Sequence, residues 1–292
     1  MVFTTQANEA ILEYCSHRVI HPLLEKYIDC IYSLSSPEGG SYYCVPNGKC
    51  GLSFVLNGQF TYPGPGEEMV QVPRYAVFGM IKEPVRVYVS AGFSEVTIVF
   101  KSHGLQHFTG RPVGDLLRWD GEAPVDSVWQ EKELEGLREE LAAAAGFPAR
   151  CRRLESFLLQ SFCNRRGDAR VDAAVAQIAA ANGATTVKKL GEQLRVTPRT
   201  LHTLFTRNVG LAPKECIQIT RFYKSLCHRP AAPFAGKTMT EYAYCLGYCD
   251  QSHFINDFKR FAGRSPHRYF ACNALTNDFY KYRRWLTNHY EK

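Results

Sequence analysis

The chain carries no histidine between Pro22 and Ser102, no Cys-x-x-Cys pair, and no apolar run approaching the ~18 residues of a membrane-spanning helix. Each absence removes a class of function. A metal-dependent enzyme built on strands needs imidazoles or carboxylates that converge between them. That stretch has no imidazole, and Glu67 and Glu68 fall in a turn. Its 11 cysteines, an odd number without paired spacing, make neither a zinc framework nor a disulfide framework and read mostly as small core residues. Met1 to Glu9 lacks the basic and apolar regions of a signal peptide. The expectation is a cytoplasmic protein that is not an enzyme, needs no cofactor or metal, and does not associate with membranes.

At 292 residues the chain is long enough for two domains, and its charge is divided accordingly. From Val171 onward 18 Lys and Arg face 8 Asp and Glu, a net +10, whereas the first 170 residues hold 17 against 20, a net −3. Positive charge gathered at one end suits displacement of counterions from phosphates.

Between Tyr42 and Phe100 the pattern is β. Leu52, Phe54 and Leu56 alternate with Ser53, Val55 and Asn57. Val85, Val87 and Val89 follow, then Val96, Ile98 and Phe100, with turn signals at Asn57-Gly58, Pro63-Gly64-Pro65-Gly66 and Ala91-Gly92. Short strands at this spacing predict a small barrel or sandwich, whose interior is either a ligand chamber or an ordinary packed core. A helical hairpin comes next. Trp129, Leu134, Leu137 and Leu141 form one apolar stripe, and after Gly146-Phe147-Pro148 a second is formed by Cys151, Leu154, Phe157, Leu158 and Phe162. The hairpin either packs within its own domain or offers a stripe to a second copy, making a homodimer. Asn164 to Asp168 reads as a linker, which divides the chain into residues 1–166 and 167–292. The fold class is α+β: an N-terminal barrel with a helical hairpin, then an all-α domain.

The C-terminal part contains a repeat. Leu190, Gly191, Leu194 and Val196 recur as Tyr242, Ala243, Leu246 and Tyr248; Thr197, Leu201, Phe205 and Gly210 recur as Asp250, Phe254, Phe258 and Gly263. Each copy has apolar residues three and four apart, a short break, a Thr or Asp able to cap, and a second periodic run closed by Gly, which is the pattern of helix, turn, helix. Two such units in tandem imply a protein that reads double-stranded DNA.

In the first unit Thr197 caps a helix that opens on Pro198, with Leu201, Leu204 and Phe205 inward. Arg199, His202 and Thr203 are then candidates for base edges, and Thr206 and Arg207 for phosphate. In the second unit Asp250 caps, and Phe254, Phe258 and Phe261 face the core. Gln251, Ser252, His253, Ile255 and Asn256 are left for the groove, since Gln and Asn suit an adenine edge and Ile a thymine methyl. Lys259, Arg260, Arg264 and Arg268 suit phosphate. For any one of these polar residues the plain alternative is a solvated helix face, and for His253 it is satisfaction of a backbone group. Cys245 and Cys249, flanking the second turn, are expected to be buried.

Residues 171–270 resemble the AraC/XylS family of bacterial transcription regulators. The likeness rests on Leu201-His202-Thr203-Leu204-Phe205, on Gly210-Leu211-Ala212-Pro213, on the run from Ala243 to Phe254, and on Phe258 to Tyr269. It implies a seven-helix domain whose two recognition helices, joined by a long helix here about Pro213 to His228, enter successive major grooves. Asn256 replaces an Arg common in the family, and the stretch from Arg229 to Gly236 is longer and richer in proline than the usual link. The N-terminal part more loosely resembles the cupin-like sensory domains that precede such regulators. That implies a small-molecule effector, for which Tyr43, Phe54, Phe78, Arg86 and Tyr88 are candidate pocket residues beside their plainer role in a packed core. RNA polymerase is a candidate partner.

A thiol- or metal-responsive regulator is the alternative, drawing on Cys15, His17, His21 and Cys30 as ligands, or on oxidation of Cys44 or Cys50. His103 and His107 have metal-capable spacing only on a helix, and Gly104 and Gly110 favour a loop.

Overall fold

A computed structural model describes residues 12–64, 66, 68–116, 122–123, 129–163, 167–227 and 238–271. The linker at 164–166, the proline-rich link at 229–236 and the tail after residue 272 lie outside the described residues, as does the proposed boundary between 166 and 167.

The described residues of the N-terminal part form ten strands: β1 (Glu13–His17), β2 (Ile28–Ser36), β3 (Gly40–Cys44), β4 (Cys50–Asn57), β5 (Phe60–Pro63), β6 (Met69–Gln71), β7 (Tyr75–Phe78), β8 (Val85–Val89), β9 (Phe93–Phe100) and β10 (Glu122–Ala123). They form two antiparallel sheets, ordered β1-β2-β9-β4-β7-β10 and β3-β8-β5-β6. This is the double-sheet arrangement that the short alternating strands indicated.

Strand pairing sorts the side chains of the large sheet into two faces. Ile31, Ile98 and Leu52 stand opposite one another on one face, as do Ser33, Val96 and Phe54; on the other lie Tyr32, Thr97 and Ser53, then Leu34, Glu95 and Val55. The first face belongs to the main apolar core, and the second meets Val89, Tyr42 and Phe60 of the small sheet. The long sheet is therefore covered on both sides, which is why β4 reads as a nearly unbroken buried run.

The cover on the first face is the helical hairpin, α3 (Glu131–Ala143) and α4 (Phe147–Ser161), which follows two short helices, α1 (Gln106–Thr109) and α2 (Val113–Leu116). Leu134, Leu141, Leu154 and Leu158 have no exposed surface, and Leu137 and Phe157 keep 3% each. Both stripes are spent on the domain's own sheet, so they are not the faces by which two copies would pair. His107 lies on the helical turn α1 rather than in a loop, because Gly110 closes that turn in the left-handed conformation, φ 65°.

Among the described residues seven further helices follow: α5 (Ala169–Ala180), α6 (Val187–Leu194), α7 (Pro198–Asn208), α8 (Pro213–Cys227), α9 (Met239–Cys245), α10 (Gln251–Ala262) and α11 (Pro266–Ala271). Their starts follow from local chemistry. Asp168, Thr186, Thr197, Thr238 and Asp250 each accept a hydrogen bond from a backbone N–H in the first turn, and Thr238 with Glu241 makes a reciprocal capping box. The apolar residues of this helical part are continuous with the core beneath α3 and α4. The two domains share one buried interior.

Candidate nucleic-acid interface

The first unit is α6, a turn at Arg195 to Thr197, and α7. Arg195 takes a left-handed conformation, φ 53°, that reverses the chain at the end of α6. Thr197 Oγ1 accepts from Thr200 N at 3.1 Å. Leu201 and Phe205 are fully buried on α7 and Leu204 is partly buried. The opposite arc carries Arg199, His202, Thr203, Thr206 and Arg207, all exposed. Thr203 and Thr206 donate their hydroxyls to the carbonyls of Arg199 and His202, leaving oxygen lone pairs for an outside donor. Arg199 and His202 are exposed on a helix held by its buried side, with His202 Nδ1 3.5 Å from Thr206 Oγ1.

The second unit is α9, a turn through Gly247 (φ 81°), and α10, where Asp250 Oδ1 accepts from His253 N at 2.7 Å. Phe254, Phe258 and Phe261 are buried as expected. Its outer arc is narrower than the sequence suggests. Ser252, Asn256, Lys259, Arg260 and Arg268 are exposed, but Gln251, His253 and Ile255 are only half-exposed. Gln251 Oε1 accepts from Thr240 Oγ1 of α9 at 2.8 Å, and Ile255 packs against the core. His253 Nε2 stands 3.7 Å from Asp257 Oδ2, with its ring edge-on to Tyr248. Each of these three therefore has a partner within its own domain as well as a half-exposed surface on α10. Asp257 in turn accepts from Gln218 Nε2 of α8 at 3.1 Å, and burial raises its carboxyl above the usual range.

The helix α8 ties the units together. Arg221, 8% exposed, donates from Nε and Nη2 to the carbonyl of Gly183 at 3.0 and 2.9 Å, with its guanidinium over the Tyr248 ring. Tyr242 donates its hydroxyl to Ser225 O at 2.7 Å. The relative setting of α7 and α10 thus rests on buried polar contacts as well as on apolar packing. Arg221 was not singled out in the sequence, since a lone Arg in an apolar helix gives no sign of which backbone carbonyl it will meet.

Cys245 and Cys249 are exposed, correcting their expected burial, because Leu246 and Tyr248 take the inward positions of that turn. Of the nine cysteines whose side chains are described, Cys30, Cys50, Cys151 and Cys216 are buried. Burial pushes the Cys44 and Cys50 thiols up to about 12, which makes them poor thiolates. His17 faces Glu155 at 2.9 Å while His21 Nδ1 accepts from Leu23 N, and among the described residues no group of three or more His, Cys, Asp or Glu is placed to hold a metal ion.

The five candidate pocket residues are not brought together. Phe54 is fully buried on the face beneath the hairpin, and Phe78 lies on the inner face, its ring so close to Gly51 that a Cβ there would stand 2.1 Å from it. Tyr43, Arg86 and Tyr88 lie on the outer face of the small sheet, where Arg86 sits over both tyrosine rings and donates to Ser41 Oγ. Alternation in the sequence gives the two faces of a strand but not which of them looks into the space between sheets.

That outer face meets the helical domain. Arg264 lies over the Tyr43 ring, 5.5 Å from its centre, and Gly263 approaches Pro84. A second contact places α2 on the last turn of α7. A Cβ on Gly114 would stand 2.1 Å from the Thr206 carbonyl oxygen, and Asp115 Oδ2 lies 3.9 Å from Arg207 Nε. Two of the six side chains expected at phosphates, Arg207 and Arg264, therefore face residues of the N-terminal domain.

Residues 190–271 match the family described as helix-turn-helix domain. The paired units α6–α7 and α9–α10 lie within the matched residues, so that part of the chain is similar to helix-turn-helix domains. Residues 20–119 match a family described only as a domain of unknown function, DUF6597. No curated protein matches the chain. Among solved structures the chain is similar to ToxT from Vibrio cholerae, at 12% identity and a TM-score of 0.40, with 88% of this chain and 97% of that one covered. The fatty-acid-bound ToxT of strain SCE256 is similar at 12% identity and a TM-score of 0.42, over 91% of this chain and 96% of that one. An RmlC-like cupin protein from Desulfovibrio desulfuricans is similar at 17% identity and a TM-score of 0.24, over 34% of this chain and 92% of that one. No described helix is long and apolar enough to cross a membrane.

Proposed function

We propose that the chain is a cytoplasmic, non-catalytic transcription regulator that binds promoter DNA through α7 and α10 and is switched by a small molecule at its N-terminal domain. The observation that carries this reading is the pair of contacts just described. Asp115 offers Arg207 a carboxylate where DNA would offer a phosphate, and Tyr43 covers Arg264. A ligand that changes how the two sheets sit changes whether α2 and Tyr43 remain docked, and it does so by as much as it prefers one state. DNA competes for the same arginines, so ligand and DNA are coupled through them.

Gly114→Ala tests the reading without touching a side chain that faces solvent on α7. The added methyl forces α2 away from the Thr206 carbonyl, so the full-length variant should bind promoter DNA several-fold more tightly than the parent in gel-shift titrations and respond less to an effector. Unchanged affinity and unchanged response would refute control through this contact. Pairing of two copies would raise local concentration at adjacent half-sites, and Leu159, exposed on α4, lies outside the buried stripes.

A further inference from the structure

The two faces of the large sheet differ in how completely they are buried. Beneath the hairpin, Leu52, Phe54, Val96 and Ile98 have no exposed surface at all. Between the sheets, Tyr32, Tyr42 and Cys44 lie deep enough for burial to suppress their ionisation, yet each retains accessible surface. The face between the sheets keeps more accessible surface than the one beneath the hairpin.

At its centre stands Glu95, 5% exposed. Its carboxylate accepts from Ser53 Oγ at 2.8 Å and, more weakly, from Tyr32 OH at 3.4 Å. No Lys, Arg or His forms an ion pair with it among the described residues, and Arg86 of the neighbouring β8 is turned to the other face of its sheet. The titratable groups that face it are Tyr32 from β2 and Tyr42 and Cys44 from β3, all neutral in the physiological range. A buried carboxyl without a cation is costly, and proteins keep such groups paired unless something else completes them. Aromatic rings share the apolar cluster on this face, Tyr14 stacked on Tyr32 and Phe60 on Phe93, with Tyr42 packed against the same cluster. A lone carboxylate among ring faces is the complement of a positive charge on an apolar body.

We propose that the space between the two sheets binds a small amphiphilic organic cation, an ammonium or amidinium carrying an aromatic or branched apolar group, with Glu95 meeting the charge and Tyr14, Tyr32, Tyr42 and Phe60 the apolar part. This rests on the reading of the N-terminal domain as the effector-binding half, and it gives that effector a chemical class. Burial pushes the Glu95 carboxyl up to about 7, the two hydrogen bonds pulling less strongly the other way. The cation binds the ionised form, so binding releases a proton where the empty site is partly protonated. Affinity should then rise with pH through 7, by about tenfold between pH 6 and pH 8, the ratio of the ionised fractions.

Calorimetric titration of the full-length protein decides the matter with three probes of one size: 2-phenylethylammonium, 2-phenylethanol and 3-phenylpropionate. The ammonium should bind at least tenfold more tightly than the alcohol at pH 8 and about tenfold more weakly at pH 6 than at pH 8, and the carboxylate should not bind. Glu95→Gln should abolish the preference for the ammonium and its pH dependence. That variant should also melt at a higher temperature than the parent at pH 8, having lost a buried charge, so failure to bind is not failure to fold. Ser53→Ala, which keeps the carboxyl, should alter the ammonium affinity by threefold or less. Equal binding of ammonium and alcohol, an ammonium affinity unchanged by Glu95→Gln, or no ammonium binding to the parent would overturn the proposal. Alcohol bound alike by parent and variant, with a change in DNA affinity, would refute the cation while leaving effector control standing. Ammonium bound through Glu95 with DNA affinity unaltered would support the site and refute the switch.

Discussion

The two recognition helices begin alike and end differently. Both are capped by a side chain on the first turn and pinned by buried aromatics, but α7 presents an unbroken polar arc whereas α10 spends Gln251, His253 and Ile255 on its own domain. The difference follows from their neighbours. Helix α10 packs against α8, α9 and α11, and each contact draws a side chain inward. Helix α7 meets α2 only at its last turn, so the arc from Arg199 to Thr203 is left open. We therefore expect α7 to supply most base discrimination and α10 to supply chiefly Ser252 and Asn256 together with phosphate contacts through Lys259 and Arg260, with Arg268 of α11 beside them.

The largest effect that bears on this comparison is on stability. Phe258 touches Phe222, Phe254, Tyr269 and Phe270, and Phe205 is equally buried in the first unit. Phe258→Ala and Phe205→Ala should each cost about 3–5 kcal/mol in urea unfolding, as for other large-to-small changes in cores. A cost below about 1 kcal/mol for either would mean that its unit is not built on the shared core. Next in size is base reading: Arg199→Ala should lose about 1–3 kcal/mol of binding and relax preference at one base pair, while Lys259→Ala weakens all sequences alike and lowers the salt slope by about 1. Gel shifts across several salt concentrations separate the two behaviours. The smallest effect is expected at His253. If His253→Gln, measured in the same way, shifted the preferred sequence rather than changing affinity by less than about 0.5 kcal/mol, the asymmetry between the helices would be lost.

What could be read from the sequence was local. The caps at Thr197 and Asp250, the glycine that closes α10 at Gly263 and the burial of Leu201, Phe205, Phe254 and Phe258 all follow from spacing within one or two turns, so the tandem units and the candidate arcs were legible. Side chains whose fate depends on another element were not. Ile255 and His253 lie on the same helix as Asn256, and only their partners in the folded chain set them apart. Arg264 and Arg207 bear the charge expected for phosphate, but nothing near them in sequence announces Tyr43 or Asp115. Glu95 left a trace that the search for imidazoles passed over. It is an acidic residue inside the apolar strand Phe93–Phe100, in phase with Phe93 and Thr97, where alternation alone places a charge between sheets.

The account's central claim is that one chain reads DNA with two unequal helices held on a common frame. Selection of binding sites from random duplexes by the full-length protein, repeated with Arg199→Ala and with Asn256→Ala, tests it most directly. The account predicts two preferred blocks about one helical turn apart, roughly 10 base pairs, the block lost with Arg199 being the more sharply defined and the one altered by Asn256 the weaker. Recovery of no preferred sequence, or of a single block unaffected by both substitutions, would contradict it.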